Sequence, residues 1–147
     1  MRTLIQRVDG ASVNVGSQIT GKIKGLGLLI LLGVAKEDTE KDINYLVRKI
    51  LNLRIFNDEH GIMNLSIQDI KGEILVISQF TLYADTRKGN RPSYDKAAGQ
   101  EQAKLLYDKF VSEIIKSGLK VEEGVFGANM QVNLTNTGPV TMMLESK

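Results

Sequence analysis

Residues Glu73 to Tyr94 read EILVISQFTLYADTRKGNRPSY, and the first few of them decide the kind of fold this chain takes. Ile74, Leu75, Val76 and Ile77 form an unbroken apolar run; a strand with one wet face alternates, so this run predicts a strand covered on both faces. Ser78, Gln79 and Thr81 follow on what reads as the same strand, with Phe80, Leu82 and Tyr83 between them. Strand alternation sets Gln79 and Thr81 on one face and Ser78 and Phe80 on the other. Polar groups at the end of a buried strand need partners, either within the protein or in something that arrives from outside. The loop that follows, Asp85 to Ser93, gathers Arg87, Lys88 and Arg91 beside Gly89 and Pro92. Loops of this kind contact phosphates, although charge alone reads more simply as a solvated turn.

Outward from that stretch, Leu4 to Val34 reads as strands. Val13 and Val15 alternate with Ser12 and Asn14, Gly16-Ser17 is a turn, and Ile19, Ile23 and Leu26 lead into the apolar Leu28 to Leu32. An antiparallel meander followed by a central strand is expected. Thr39 and Asp42 form a capping-box pattern ahead of Ile43, Leu46, Val47, Ile50 and Leu51, whose spacing predicts an amphipathic helix. A second helix is predicted from Gln100 to Lys116, with Ala103, Leu106, Tyr107, Phe110 and Ile114 on one face and Gly118 as its stop. Asn57 to Gly61 is a turn between short apolar pieces, and Leu119 to Val121 a short strand. Met130, Val132 and Leu134, then Val140, Met142 and Leu144, alternate with polar neighbours. The expectation is two half-buried strands joined by a hairpin tip at Asn136-Thr137-Gly138-Pro139.

With 147 residues, 42% hydrophobic and 24% charged, the chain reads as a single domain over residues 1–147 that needs no staples. It has no cysteine, which excludes disulfides and thiolate metal sites and fits a reducing compartment. Its one histidine, His60, falls in a turn, so a Ser-His-Asp arrangement has no evident base. Asp38, Glu40, Asp42, Asp58 and Glu59 read as capping and turn residues, so neither a metal nor a cofactor is expected. No apolar run approaches the roughly 18 residues that cross a bilayer, and a soluble, cytoplasmic protein is expected. The net charge of +2 is too small to announce a nucleic-acid partner by itself.

Two motifs carry a resemblance. Ser78-Gln79-Phe80-Thr81-Leu82 and Asn136-Thr137-Gly138-Pro139-Val140-Thr141, at this separation in a chain of this length, resemble the active-site motifs of the D-aminoacyl-tRNA deacylase family, the type once called D-tyrosyl-tRNA deacylase. The likeness runs nearly end to end, through Ile5-Gln6-Arg7-Val8 with Ala11-Ser12-Val13, Leu31-Leu32-Gly33-Val34, Arg54-Ile55-Phe56, Met63-Asn64-Leu65 and Arg91-Pro92-Ser93. The resemblance implies a homodimeric proofreading hydrolase with active sites at the subunit interface. Such an enzyme cleaves the ester between a D-amino acid, or mischarged glycine, and the terminal ribose of tRNA. It implies catalytic roles for Ser78, Gln79, Phe80 and Thr81. It also implies a cis Gly138-Pro139 peptide pushed into the partner's pocket to exclude L-amino acids. Met130, Asn136, Val140 and Thr141 are the further pocket candidates, and Arg7, Arg87, Lys88 and Arg91 the candidate phosphate contacts. The acceptor end of aminoacyl-tRNA is the expected partner, with no membrane and no DNA.

The chemistry is coherent without the family. An ester attacked by water develops an oxyanion that backbone amides at a strand end can stabilise, at about 2.7–4 kcal/mol per donor. Thr81 carries a hydroxyl but lacks a base; activation of water by the neighbouring 2′-hydroxyl of the tRNA is the route the resemblance implies, and the residues are compatible with it. A rigid dipeptide makes a better chiral wall than a long side chain, because it cannot move aside. Two rivals stand beside this reading: a non-catalytic tRNA-binding or assembly module, and an esterase with Thr81 as nucleophile. The fold expected is α+β, a largely antiparallel (mixed) sheet or open barrel with two main helices packed on it.

Overall fold

Two long strands open the chain, and register shifts between Asp9 and Ala11 and between Val13 and Asn14 interrupt their pairing without ending it. The computed structural model describes residues 1–147. Strand β1 is Arg2–Val15 and β2 is Gln18–Gly33, an antiparallel pair. Helix α1 (Glu40–Asn52), the short β3 (Phe56–Asn57) and β4 (Met63–Leu65), and β5 (Glu73–Ser78) follow. A 3₁₀ turn (Phe80–Tyr83), α2 (Gln100–Ile115), β6 (Val121–Glu123) and β7 (Gln131–Glu145) complete the order. The main sheet is five-stranded in the order β6-β5-β2-β1-β7. β5 runs parallel to both β2 and β6, whereas β1 is antiparallel to both of its neighbours. The sheet is thus mixed and does not close into a barrel, and the α+β expectation holds.

The parallel strand is the one whose apolar run pointed to double cover. Ile74, Leu75, Val76 and Ile77 are all essentially inaccessible. Ile74 and Val76 join Leu28, Ile30 and Leu32 in the cluster under both helices, while Leu75 and Ile77 join Leu29 on the opposite face. On β1 the assignment depends on a bulge. Ile5 belongs to the helix-side cluster, yet Ala11 and Val13, of the same parity, belong to the other. The register shifts between Asp9 and Ala11, where Gly10 at φ 84° faces Lys24 and Gly25 at φ 66°. One inserted residue exchanges the faces, so the strand serves two cores in turn.

Both predicted helices are present on the predicted faces. Ile43, Leu46, Val47, Ile50 and Leu51 of α1 are buried, as are Leu106, Tyr107, Phe110 and Ile114 of α2. The Thr39 amide donates to Asp42 Oδ2 at 2.8 Å, completing the start of α1. The Tyr107 hydroxyl donates to Val76 O at 3.0 Å, so α2 is fixed to the middle of β5 by a buried bond as well as by packing. Burial pushes that hydroxyl's ionisation well above the ordinary tyrosine range.

Four expectations are corrected. The meander is two strands joined by one turn, since the bulge at Gly10 and Gly25 keeps each strand continuous. The short strand after α2 lies at Val121–Glu123 rather than at Leu119 to Val121. β5 ends at Ser78, and the 79–81 residues leave it in a tight turn, so strand alternation does not govern Gln79, Phe80 and Thr81. The fourth concerns Asn136 to Pro139, which is no hairpin tip. Val8 pairs with Asn136 and Gln6 with Thr141, so the chain bulges out opposite Arg7 and returns to the same strand. Alternating residues around Gly-Pro look alike in a hairpin and in a bulge; the length of β1 decides between them by offering a ladder to both halves.

Candidate active site

Where β5 runs out, the chain must turn, and three constraints determine how. The Gln79 amide donates to Leu32 O at 2.8 Å, Leu82 N to Gln79 O at 3.3 Å, and Ala84 N to Thr81 O at 3.0 Å. Beneath the turn lies Gly33, where an added Cβ would stand 3.1 Å from Gln79 O and 3.2 Å from both Leu82 Cβ and Tyr83 Cε2. A side chain at this position would push the turn away from β2 by a few tenths of an ångström. The N–H groups of Phe80 and Thr81, at the start of the turn, have no acceptor within it. The Gln79 side-chain amide donates to the Thr81 hydroxyl oxygen, so that oxygen is engaged as an acceptor and no base stands beside it.

This turn borders a cavity of about 590 Å³. Ser78, Gln79 and Phe80 form one wall, with Met130 and Val132 of the β7 approach and Phe126 opposite. Gly124 makes the Met130 position possible, since a Cβ there would sit 2.6 Å from Met130 Sδ. At the mouth, Phe80 is 55% and Tyr94 37% exposed, their rings edge to face with centroids 4.9 Å apart. Large exposed aromatic surface beside a cavity offers a face to a flat ligand group.

The sequence-predicted site residues divide into two groups. Ser78, Gln79, Phe80 and Met130 line the cavity. Thr81 does not line it, though it lies in the same turn. Asn136, Gly138, Pro139, Val140 and Thr141 do not line it either. They form the bulge of β7, with Gly138 and Pro139 exposed and their shared peptide bond cis. Asn136 Nδ2 donates to Thr141 Oγ1 at 2.8 Å, tying the two ends of the bulge together. Gly138 sits at φ 119°, and a Cβ there would stand 2.8 Å from Arg7 Nη2 and from Val140 Cγ2. A side chain here would be strained by the backbone and would crowd both groups.

Arg7 departs from its expected place among the phosphate contacts. It is 8% exposed; its Nη1 donates to Ile55 O at 2.7 Å and to Asn57 Oδ1 at 3.2 Å, and its Nε to Thr137 O at 3.1 Å. A buried guanidinium so engaged pins the bulge to the body of the chain. The other basic candidates are exposed. An antiparallel bridge between Asp85 and Ser93 closes their loop at its base. Arg87 is paired with Asp85, its Nε 2.9 Å from Oδ1, and this partner holds the Asp85 carboxyl well below the usual carboxylate range. Lys88 and Arg91 extend from the same loop, which meets the cavity through Tyr94. His60 is 74% exposed at its side chain and does not line the cavity.

Sequence reasoning missed most of the far wall: Tyr94, Gln100 and residues 126–129. These residues lie outside the two motifs, and the fold brings them to the end of β5 from α2 and from segments on either side of it. No helix is long and apolar enough to cross a membrane.

Known proteins resemble this chain over nearly its whole length. The profile of a family described as D-Tyr-tRNA(Tyr) deacylase matches residues 4–145. A D-aminoacyl-tRNA deacylase of Thermosipho melanesiensis is 61% identical, over 100% of this chain and 98% of that one. One of Clostridium beijerinckii is 54% identical with the same coverage. Among solved structures, a c-Myc DNA Unwinding Element Binding Protein superposes with a TM-score of 0.93 at 45% identity, over 100% of this chain and 99% of that one. A probable eukaryotic D-amino acid tRNA deacylase superposes at 0.85 with 17% identity, over 98% of each chain, a likeness of fold alone.

Proposed function

The chain belongs to the D-Tyr-tRNA(Tyr) deacylase family, and from that membership as a D-aminoacyl-tRNA hydrolase we propose how it works. The acyl group enters the cavity beside Ser78, Gln79 and Phe80. The free amides at the start of the 3₁₀ turn receive the oxyanion, and the terminal 2′-hydroxyl of the tRNA assists the attacking water. Gly138 and Pro139 of a second copy close the cavity and reject L-amino acids, while glycine, having no side chain to collide, is accepted. Homodimerisation in the cytoplasm follows from this reading. Lys88 and Arg91 hold acceptor-stem phosphates, with a lesser part for Arg87, whose charge is shared with Asp85.

The observation that carries the proposal is a mismatch within one chain. The cavity wall holds no histidine, carboxylate or lysine to serve as a base for the Ser78 hydroxyl, and a pinned, exposed projection does not line that cavity. Each supplies what the other lacks. Donors held where charge develops need no reorganisation, and a wall held by Arg7 discriminates shape better than a mobile side chain. The engaged hydroxyl of Thr81 weighs against the esterase alternative.

One assay tests the whole reading: release of D-aminoacyl, L-aminoacyl and glycyl groups from charged tRNA, with the terminal 2′-hydroxyl present or replaced by hydrogen. D-aminoacyl and glycyl groups should leave, L-aminoacyl groups stay, and the deoxy substrates resist. Equal hydrolysis of deoxy and natural substrates would overturn 2′-hydroxyl assistance, and equal loss of D and L would overturn the gate.

A further inference from the structure

The 3₁₀ turn has only four residues, Phe80–Tyr83, and a turn that short does not hold its own shape. Its start is fixed by the bond from Gln79 N to Leu32 O. Its end is held from outside by a residue far away in sequence. Arg2 Nη1 donates to Leu82 O at 3.1 Å, and the guanidinium carbon lies 4.7 Å from the centroid of the Tyr83 ring. Arg2 Nε in turn stands 2.7 Å from Glu145 Oε1. The ladder explains the placement: Arg2 pairs with Gly33 on one side and Glu145 on the other, and Gly33 is where the turn rests. The ring of Tyr83 is buried and burial raises its hydroxyl's ionisation, so it is a stable platform for the cation.

We infer that Arg2 is a positioning residue for the catalytic turn. One guanidinium caps the carbonyl end of the 3₁₀ turn, stacks on its last ring and is itself aimed by Glu145. It thereby sets the direction of the Phe80 and Thr81 amides without touching substrate. A planar fork with donors on more than one edge suits this task, and a point charge satisfies it only in part. The inference rests on the proposed role of those amides and extends it to a residue far away in sequence.

The test compares Arg2→Gln, Arg2→Lys and Glu145→Gln with the unaltered protein in steady-state deacylation of D-aminoacyl-tRNA. Amide chemical shifts of Phe80 and Thr81 are measured in parallel. Small displacement of groups aimed at a reacting centre costs about 10- to 100-fold in rate. Arg2→Gln is therefore expected to lower kcat by about that factor, with KM within about twofold, and to move both amide shifts. Arg2→Lys should recover part of the loss and Glu145→Gln cause a smaller one. An unchanged kcat in Arg2→Gln overturns the inference, as does a loss that cooling restores in step with the folded fraction. Should Arg2→Gln fail to fold, Arg2→Lys and Glu145→Gln carry the same comparison. Absence of D-specific release by the unaltered protein would overturn the proposed function instead, and the amide shifts would still report on Arg2.

Discussion

Two places in this molecule interrupt a β-ladder, and they do so in opposite senses. At Ser78 a buried parallel strand stops, and its continuation folds inward over Gly33 to wall a cavity. At Thr137 to Val140 an edge strand carries on, and its surplus residues are thrown outward opposite Arg7. The inward interruption leaves backbone donors unused; the outward one presents a backbone surface with its side chains stripped to glycine and proline. A concave set of donors and a convex stop are complementary, yet they lie on different parts of one chain. A protein that must read handedness gains from this separation, since wall and donors can be rigid independently of each other.

The comparison breaks most readily at the outward region. Gly138→Ala places a Cβ 2.8 Å from Arg7 Nη2 at a φ that disfavours any side chain. The ratio of D- to L-aminoacyl release should fall by roughly 10- to 100-fold, measured as single-turnover rates on the two charged tRNAs. An unchanged ratio would remove the projection from chiral selection.

The inward region is sharpened by a substitution expected to do less. Thr81→Val removes a hydroxyl that only accepts from Gln79. The rate should drop less than about tenfold, a hydrogen bond's worth of positioning, with no acyl-protein adduct by mass spectrometry. Abolished hydrolysis with intact fold and tRNA binding would return Thr81 to the role of nucleophile.

The loop between the two regions and solvent should matter less still. Lys88→Gln and Arg91→Gln are each expected to reduce the slope of log affinity against log salt by about one, with little change in kcat. Arg87→Gln should do less, because Asp85 already shares its charge. Filter binding of uncharged tRNA over a salt series separates these cases.

A last prediction lies outside both regions and serves as their control. Burial would raise the Asp42 carboxyl, but hydrogen bonds from Ser146 and Thr39 and the charge of Lys147 outweigh it and hold the group at about 2. A carboxyl lowered on folding contributes stability above its unfolded value, and that contribution is lost as pH falls from about 4 towards 2. Asp42→Asn should flatten the acid limb of a thermal-stability profile while leaving D and L selectivity at neutral pH unchanged.

Much of this was legible in the sequence where neighbouring residues carry the information. Ile74 to Ile77 announced a doubly covered strand, and the spacing from Ile43 to Leu51 announced α1. Gly61 was placed in a turn and adopts φ 77°. The resemblance pointed to Ser78, Gln79 and Phe80, and these three line the cavity. Less legible was anything resting on a partner distant in the chain. Arg7 stood among the candidate phosphate contacts, but its acceptors come from Ile55, Asn57 and Thr137, none of them near it in sequence. The Gly-Pro stretch looked like a hairpin because the strand that receives both of its flanks lies at the other end of the chain.

The amino-acid order on its own therefore determined which segments are buried, where helices begin and which residues are too polar for the place they occupy. Period and turn chemistry act over a few residues, and burial follows from them. Tertiary structure alone decided that one polar cluster faces a cavity while the other stands proud of an edge, and that Arg2 and Arg7 each hold one of them. Those outcomes depend on which backbone groups of distant strands pair and which are left over, and only the assembled sheet sets that balance.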